Sequence, residues 1–200
     1  MNPQPPQNHA QPEDTGHRSP STEQHRAQSK GVAHIQCAVL TVSDTRSLED
    51  DRGGSLLVEL LLGAGHRIER RDLVRDEVEP IRDWALQVLE GGSEVLLVTG
   101  GSGIGPRDVS PEALRPLLSK EMPGFGEVFR MLSWEEVGAA TVLSRAFAGI
   151  MERVAKGEET RRALLFVLPG STNAVRLAME KLILPDLSHL VREARGRGAS

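Results

Sequence analysis

The sequence predicts a three-layer α/β/α domain with a mostly parallel central sheet, on three observations. Three short runs rich in Val and Leu do not alternate with polar residues, which is how strands buried on both faces read. Stretches with helical spacing separate them. Each run ends in a small, polar or glycine-rich turn.

Along the chain, the first run is Cys37-Ala38-Val39-Leu40-Thr41-Val42. Residues 55–62 are apolar nearly all round and predict a helix covered on several sides. A weaker strand is expected over Arg67–Val74. Ile81, Trp84, Ala85, Val88 and Leu89 fall on one face of a helix. Val95-Leu96-Leu97-Val98 is the second run. Ser110-Pro111-Glu112 reads as an N-cap, a proline at the first helical position and an acid in the first turn. A further strand is expected at 146–154, and the charged stretch 152–162 predicts a surface turn between two strands. Ala163-Leu164-Leu165-Phe166-Val167-Leu168 is the third run. Val175, Ala178, Met179, Leu182 and Ile183 repeat the helical spacing, with Ser171, Thr172 or Asn173 as the cap.

Residues 1–31 are rich in Pro, Gln and Ser and nearly free of apolar side chains, so they predict a disordered tail ahead of a domain at 32–197. His9, His17 and His25 lie in that tail, but an eight-residue spacing in an unstructured chain is a poor chelate. The net charge of −4 gives no electrostatic reason to expect nucleic acid or an anionic membrane as partner. Aromatics are 3% and Tyr is absent, so the core must be aliphatic and base-stacking platforms are not expected. No apolar run approaches the roughly 20 residues that span a bilayer. One cysteine, Cys37, cannot form an internal disulfide, and a reducing, cytoplasmic compartment is expected. Cys37 itself reads as an unreactive strand residue, and His34, His66 and His189 as structural.

If the three runs are parallel strands, the turns Ser43-Asp44-Thr45, Thr99-Gly100-Gly101-Ser102-Gly103 and Pro169-Gly170-Ser171-Thr172-Asn173 lie along one sheet edge and form one crevice. The central turn is the most informative. Glycine lets a backbone approach a ligand closely, and successive amides can cradle phosphate oxygens. It is not a Walker loop, since no Gly-Lys-Ser/Thr follows. Asp108 follows the glycines. A carboxylate beside a phosphate cradle is unfavourable unless a cation such as Mg²⁺ intervenes. Asp76, at the end of the weak strand, is placed to reach the same crevice, although its charged surroundings would ordinarily be a solvated face.

Five segments occur in order: Leu40-Thr41-Val42-Ser43-Asp44; Thr99-Gly100-Gly101-Ser102-Gly103 with Arg107-Asp108-Val109; Pro123-Gly124-Phe125-Gly126-Glu127; Ser144-Arg145-Ala146; and Leu168-Pro169-Gly170-Ser171. With them the chain resembles the MogA/MoaB family of molybdenum-cofactor biosynthesis proteins over about residues 33–195. Segments 127–133 and 135–138 are more similar to the MoaB branch. The resemblance implies Mg²⁺-dependent transfer of AMP from ATP to the phosphate of molybdopterin, with release of pyrophosphate. It also implies a homotrimer or homohexamer and hand-over of the product to a molybdate-insertion enzyme. The chain is short for the larger insertion enzymes that carry a related domain, which favours the stand-alone adenylyltransferase.

Residue by residue, the resemblance places Asp76 and Asp108 as the catalytic, metal-holding acids. Thr99, Gly100, Gly101, Ser102 and Gly103 would bind nucleotide phosphates. Ser43, Asp44, Glu127, Ser144, Arg145, Gly170 and Ser171 would face molybdopterin. Ser102 stands where the family has Thr and keeps the hydroxyl. Asp51-Arg52-Gly53-Gly54 departs from the family's Asp-x-Ser-Gly at the entry to the first helix. Met122-Pro123-Gly124-Phe125-Gly126 is either a packing turn or part of the site, and Phe129, Met131, Leu132 and Trp134 either core or a subunit contact. The rival functions are a non-catalytic molybdopterin carrier and a scaffold module.

Overall fold

The computed structural model describes residues 34–154 and 160–196. The tail expected over 1–31 and the middle of the turn expected within 152–162 lie outside them. The first apolar run forms β1 (Gln36–Val42). It leads through a polar loop into α1 (Arg52–Gly63) and back along the weaker strand, β2 (Arg67–Val74). Then come α2 (Val78–Gly91), β3 (Val95–Thr99) and the short α3 (Ser110–Leu114). β4 (Leu118–Glu121), α4 (Pro123–Val137), β5 (Phe147–Arg153) and β6 (Arg161–Leu168) follow. The described chain ends with α5 (Thr172–Ala178) and α6 (Leu187–Arg195).

The strands form one sheet in the order β2-β1-β3-β6-β5-β4. β1 pairs parallel with both β2 and β3, and β3 pairs parallel with β6. Only β5 runs against its neighbours. Alternate residues feed two aliphatic cores. Cys37, Val39, Leu97 and Phe166 meet Leu57, Leu61, Phe129 and Val175 on one face. Ala38, Leu40, Leu96 and Leu165 meet Ile81, Trp84, Ala85 and Leu114 on the other. The expected three layers are therefore present, and burial on both faces explains why the strands do not alternate. The order β2-β1-β3 makes the chain reverse direction across the sheet at β1, so a crevice opens at the carboxyl ends of β1 and β3.

Several local expectations are corrected. The first helix is covered on one side: Leu56, Leu57 and Leu61 are buried and Leu62 is half exposed. Ser110 is the first residue of α3, not its cap; Val109 holds the cap position, and the Ser110 hydroxyl donates to the Gly100 carbonyl at 2.9 Å. The helix expected through Ile183 is α-helical only to Ala178, then widens to a π turn at Met179–Ile183 and tightens to a 3-10 turn at Leu184–Asp186. Of its three candidate caps, Ser171 holds the position and accepts the Ala174 amide. Met122-Pro123-Gly124-Phe125-Gly126 runs into the first turn of α4, with Pro123 at its start. Gly126 is needed there, because a Cβ would sit 2.7 Å from the Ala146 carbonyl oxygen. β4 went unforeseen; at four residues it is too short to show a period.

Candidate functional site

The loops after β1, β3 and β6 come together as the parallel register requires. They line a cavity of about 430 Å³ with Val42, Ser43, Arg46, 100–103, Asp108, Ser144 and Gly170. A second lobe of about 350 Å³ shares Arg46 and Gly170 and adds Asp50, Arg52, Gly53, Ser171 and Thr172. The crevice thus has two lobes that meet at Arg46 and Gly170.

The glycine loop is built by close approach. Gly100 has φ +101°, and a Cβ on it would lie 2.2 Å from the Val42 carbonyl oxygen. A Cβ on Gly101 would meet Asp76 Oδ1 and Ser110 Oγ, each at 2.5 Å. Cβ atoms on Gly103 and Gly105 would meet Asp108 Oδ2 at 2.7 and 2.8 Å. The loop therefore threads between the two acids expected to act together, and the glycines leave room for the carboxylates.

The loop's carbonyl side is tied down. Gly100 O accepts from Ser110 Oγ, Gly101 O from Ser110 N, Ser102 O from Arg145 N and Gly103 O from Arg145 Nε. Among the described residues, the amides of Gly101, Ser102 and Gly103 donate to no protein acceptor. These residues line the cavity, and consecutive free amides are donors of the kind an anion uses.

Asp76 Oδ1 is buried behind Gly101 with no hydrogen-bond partner. Burial, followed by the neighbouring Asp44 and Asp108, holds the Asp76 carboxyl above its usual value, and Arg107 pulls the other way. Asp76 does not line the cavity, whereas Asp108 does and accepts the Gly105 amide at 2.8 Å. Among the described residues no group of three or more His, Cys, Asp or Glu side chains is placed to hold a metal. A buried carboxylate oxygen without a donor and a second acid against the same loop fit Mg²⁺. That ion binds one or two carboxylates together with substrate phosphates.

The other expected site residues divide. Ser43, Ser144 and Gly170 line the first lobe and Ser171 the second. Asp44 is ion-paired with Arg107 from the glycine loop. Thr99 is fully buried, and its hydroxyl donates to the Pro169 carbonyl at 2.9 Å, joining the loops rather than facing the cavity. Arg145 directs its guanidinium to the Gly103 and Asp108 carbonyls and to Glu112. Glu127 is exposed on α4 and is not among the cavity's lining residues. Cys37 is buried and its thiol is pushed up to about 12, unreactive as expected.

Sequence reasoning missed Arg46, which donates to the Gly170 carbonyl at 3.3 Å and borders both lobes. Nothing distinguishes it from any arginine in a polar loop. It also missed Asp51, which is wholly buried and caps α1 by accepting the Gly54 amide. An Asp directly before an apolar helix was a legible cap signal. Gly54 is the required glycine of that segment, since its Cβ would fall 2.1 Å from Asp51 Oδ2. At Gly53, where the family carries Ser, a Cβ would find ordinary contacts at 3.5 Å or more.

The fold and crevice define an α/β protein with a cavity at the carboxyl edge of its sheet, lined by a glycine loop against which Asp76 and Asp108 pack. A family model described as a probable molybdopterin binding domain matches residues 38–189. Molybdenum cofactor biosynthesis protein B of Bacillus subtilis is 43% identical over 177 residues, 88% of this chain and 98% of that one. Its counterpart in Staphylococcus carnosus is 51% identical over 162 residues, 80% and 90% of the two chains. The crystal structure of the tungsten cofactor synthesizing protein MoaB from Pyrococcus furiosus superposes with a TM-score of 0.71 at 37% identity, covering 81% of this chain and 98% of that one. The chain belongs to the MoaB/MogA family of molybdenum-cofactor biosynthesis proteins.

Proposed function

We propose that this protein transfers AMP from ATP to the terminal phosphate of molybdopterin. The observation that carries the reading is the glycine loop, with three free amides on one side and Asp76 and Asp108 packed against it. A molybdopterin phosphate oxygen bonds to the α-phosphorus of ATP, the bond from that phosphorus to the bridging oxygen breaks, and pyrophosphate leaves. Such a reaction asks the protein for positioning and charge compensation rather than for a nucleophile. The amides of Gly101, Ser102 and Gly103 hold phosphate oxygens, Arg46 offsets charge where the two lobes meet, and Arg52 does so in the second lobe. Two lobes suit two substrates that react at their junction. Asp76 and Asp108 would hold Mg²⁺, which when bound neutralises charge on the phosphate oxygens.

The test is incubation with molybdopterin, ATP and Mg²⁺, followed by mass analysis for adenylylated molybdopterin and assay of pyrophosphate. Formation of both in equal amounts is expected. Tight molybdopterin binding without either product would favour the carrier reading.

We also propose self-association as a trimer or hexamer. Met131, Trp134, Val137 and Val142 are each more than half exposed along α4 and the segment after it. Phe129 is core, whereas Met131 and Trp134 are left for the subunit contact that this reading assigns to the segment. An exposed apolar patch of this kind marks a contact surface. Leu143 continues that patch into the cavity lining, which suits a site completed near a subunit contact. The product would pass to a molybdate-insertion enzyme.

A further inference from the structure

We infer that Arg145 is a positioning residue that holds the glycine loop in its ligand-ready shape and does not itself contact molybdopterin. The inference rests on the reading of the loop as a phosphate cradle, and it changes the role that resemblance gives to this arginine.

A loop with glycines at 100, 101, 103 and 105 has little stiffness of its own, and glycine loses the most freedom on ordering. Something outside the loop must fix it if its amides are to meet an anion without reorganisation. Arg145, on the segment leading into β5, supplies three of the bonds that do so, beside two from Ser110 and one to Leu168. The Arg145 backbone amide donates to Ser102 O at 3.0 Å. Its Nε donates to Gly103 O at 2.6 Å and its Nη2 to Asp108 O at 2.7 Å. The two guanidinium bonds bracket the stretch 103–108, which ends at the Asp108 carboxylate. The third nitrogen, Nη1, is taken by Glu112 on α3. All three guanidinium nitrogens are thus engaged by protein, and the fork geometry lets one side chain span two carbonyls. Glu112 lies outside the 430 Å³ cavity. Its carboxyl is held below its usual value, chiefly by the hydrogen bond from Arg145, so it stays ionised as the anchor.

The restraint is selective. It occupies carbonyl oxygens and leaves the amides of Gly101, Ser102 and Gly103 free. Three of its five guanidinium N–H donors are spent on protein partners, and Arg145 lines the neighbouring hollow of about 580 Å³ with Glu112 rather than the 430 Å³ cavity.

The test uses the full chain with Arg145→Lys and Glu112→Gln. It reads hydrogen exchange of the ligand-free protein by peptide, pyrophosphate binding by titration, and melting. In Arg145→Lys the segment 100–110, reported by the Gly105, Asp108 and Ser110 amides, should exchange about tenfold faster while β1 is unchanged. Pyrophosphate affinity should fall about tenfold, the scale of losing one or two charge-assisted hydrogen bonds. Glu112→Gln, outside the 430 Å³ cavity but beside the hollow that adjoins it at Ser144, should move both readouts the same way by less. Adding it to Arg145→Lys should bring little further loss. Unchanged exchange of 100–110 with weaker pyrophosphate binding would make Arg145 a direct ligand contact and overturn the inference. Faster exchange throughout the domain would make it a general structural residue and also overturn it. If the unsubstituted protein takes up no pyrophosphate, the phosphate reading of the loop fails, and the exchange measurement alone decides whether Arg145 holds it.

Discussion

The Thr41 hydroxyl donates to Oδ2 of Asp51 at 2.6 Å, and both side chains are buried, the carboxylate with no exposed surface. The same carboxylate receives the Gly54 amide at 2.8 Å and Arg71 Nη2 at 3.1 Å. It ties the start of α1 to the last turn of β1 and to β2, directly below the crevice. Asp51→Ala removes the cap of α1 and leaves the Thr41 hydroxyl and the Gly54 amide without this acceptor, while Arg71, partly exposed, keeps Ser55 and two carbonyls. It should cost about 2–4 kcal/mol in urea unfolding. Thr41→Val should cost about 1–3 kcal/mol. A loss below about 1 kcal/mol for Asp51→Ala would show that the network is not a structural anchor.

Gly100→Ala should damage the loop in two ways. Its φ of +101° is costly for any residue with a Cβ, and the added methyl would press on the Val42 carbonyl. Strain of about 1–3 kcal/mol is expected, with loss of pyrophosphate binding. Gly53→Ser is the contrasting case. Its Cβ meets only ordinary contacts, so melting and binding should stay near the unsubstituted values. Equal tolerance of the two substitutions by calorimetry would contradict the loop geometry.

Asp76 carries a pH signature. Its carboxyl is raised above 3.8 by burial first and by Asp44 and Asp108 next. The folded protein then holds that proton more tightly than the unfolded chain. The stabilising contribution is complete below the ordinary value and lost as pH rises through the raised one. In metal-free protein Asp76→Asn should consequently melt higher than the unsubstituted chain at neutral pH. The difference should shrink as the pH falls towards 3.8. A lower melting temperature for Asp76→Asn at pH 7 would show that the carboxylate is not held at a cost.

Trp134→Glu places a charge in the middle of the exposed apolar face, where the indole is 58% exposed. Light scattering should report a single-chain mass for this variant and a multiple of it for the unsubstituted protein. An unchanged mass would remove this face from the assembly.

The fold was largely legible in the sequence because strands buried on both faces have a plain signature, as in Val95-Leu96-Leu97-Val98. The short β4 and the opening of α4 were not, since Pro123, Gly124 and Gly126 resemble a turn, and the close approach of Gly126 to the Ala146 carbonyl is a tertiary contact that no local pattern shows. At the site, glycine spacing and two acids pointed to a loop that the fold places at the cavity with both acids packed against it. What the sequence could not convey was direction: that Thr99 turns to Pro169, that Arg145 turns to the loop's carbonyls, and that Glu127 stays outside the cavity. Those outcomes depend on which backbone oxygens the fold leaves unpaired, and no local pattern encodes that.

The central claim is that Asp76 and Asp108 serve the phosphates at the glycine loop. The direct measurement is the rate of adenylylated molybdopterin formation at saturating ATP and Mg²⁺ for Asp76→Asn and Asp108→Asn, beside molybdopterin titrations of the same samples. Each substitution should slow product formation by about 10²–10³, the scale of removing one electrostatic contact from a preorganised site, with molybdopterin affinity nearly unchanged. Unaltered rates in both variants would contradict the account.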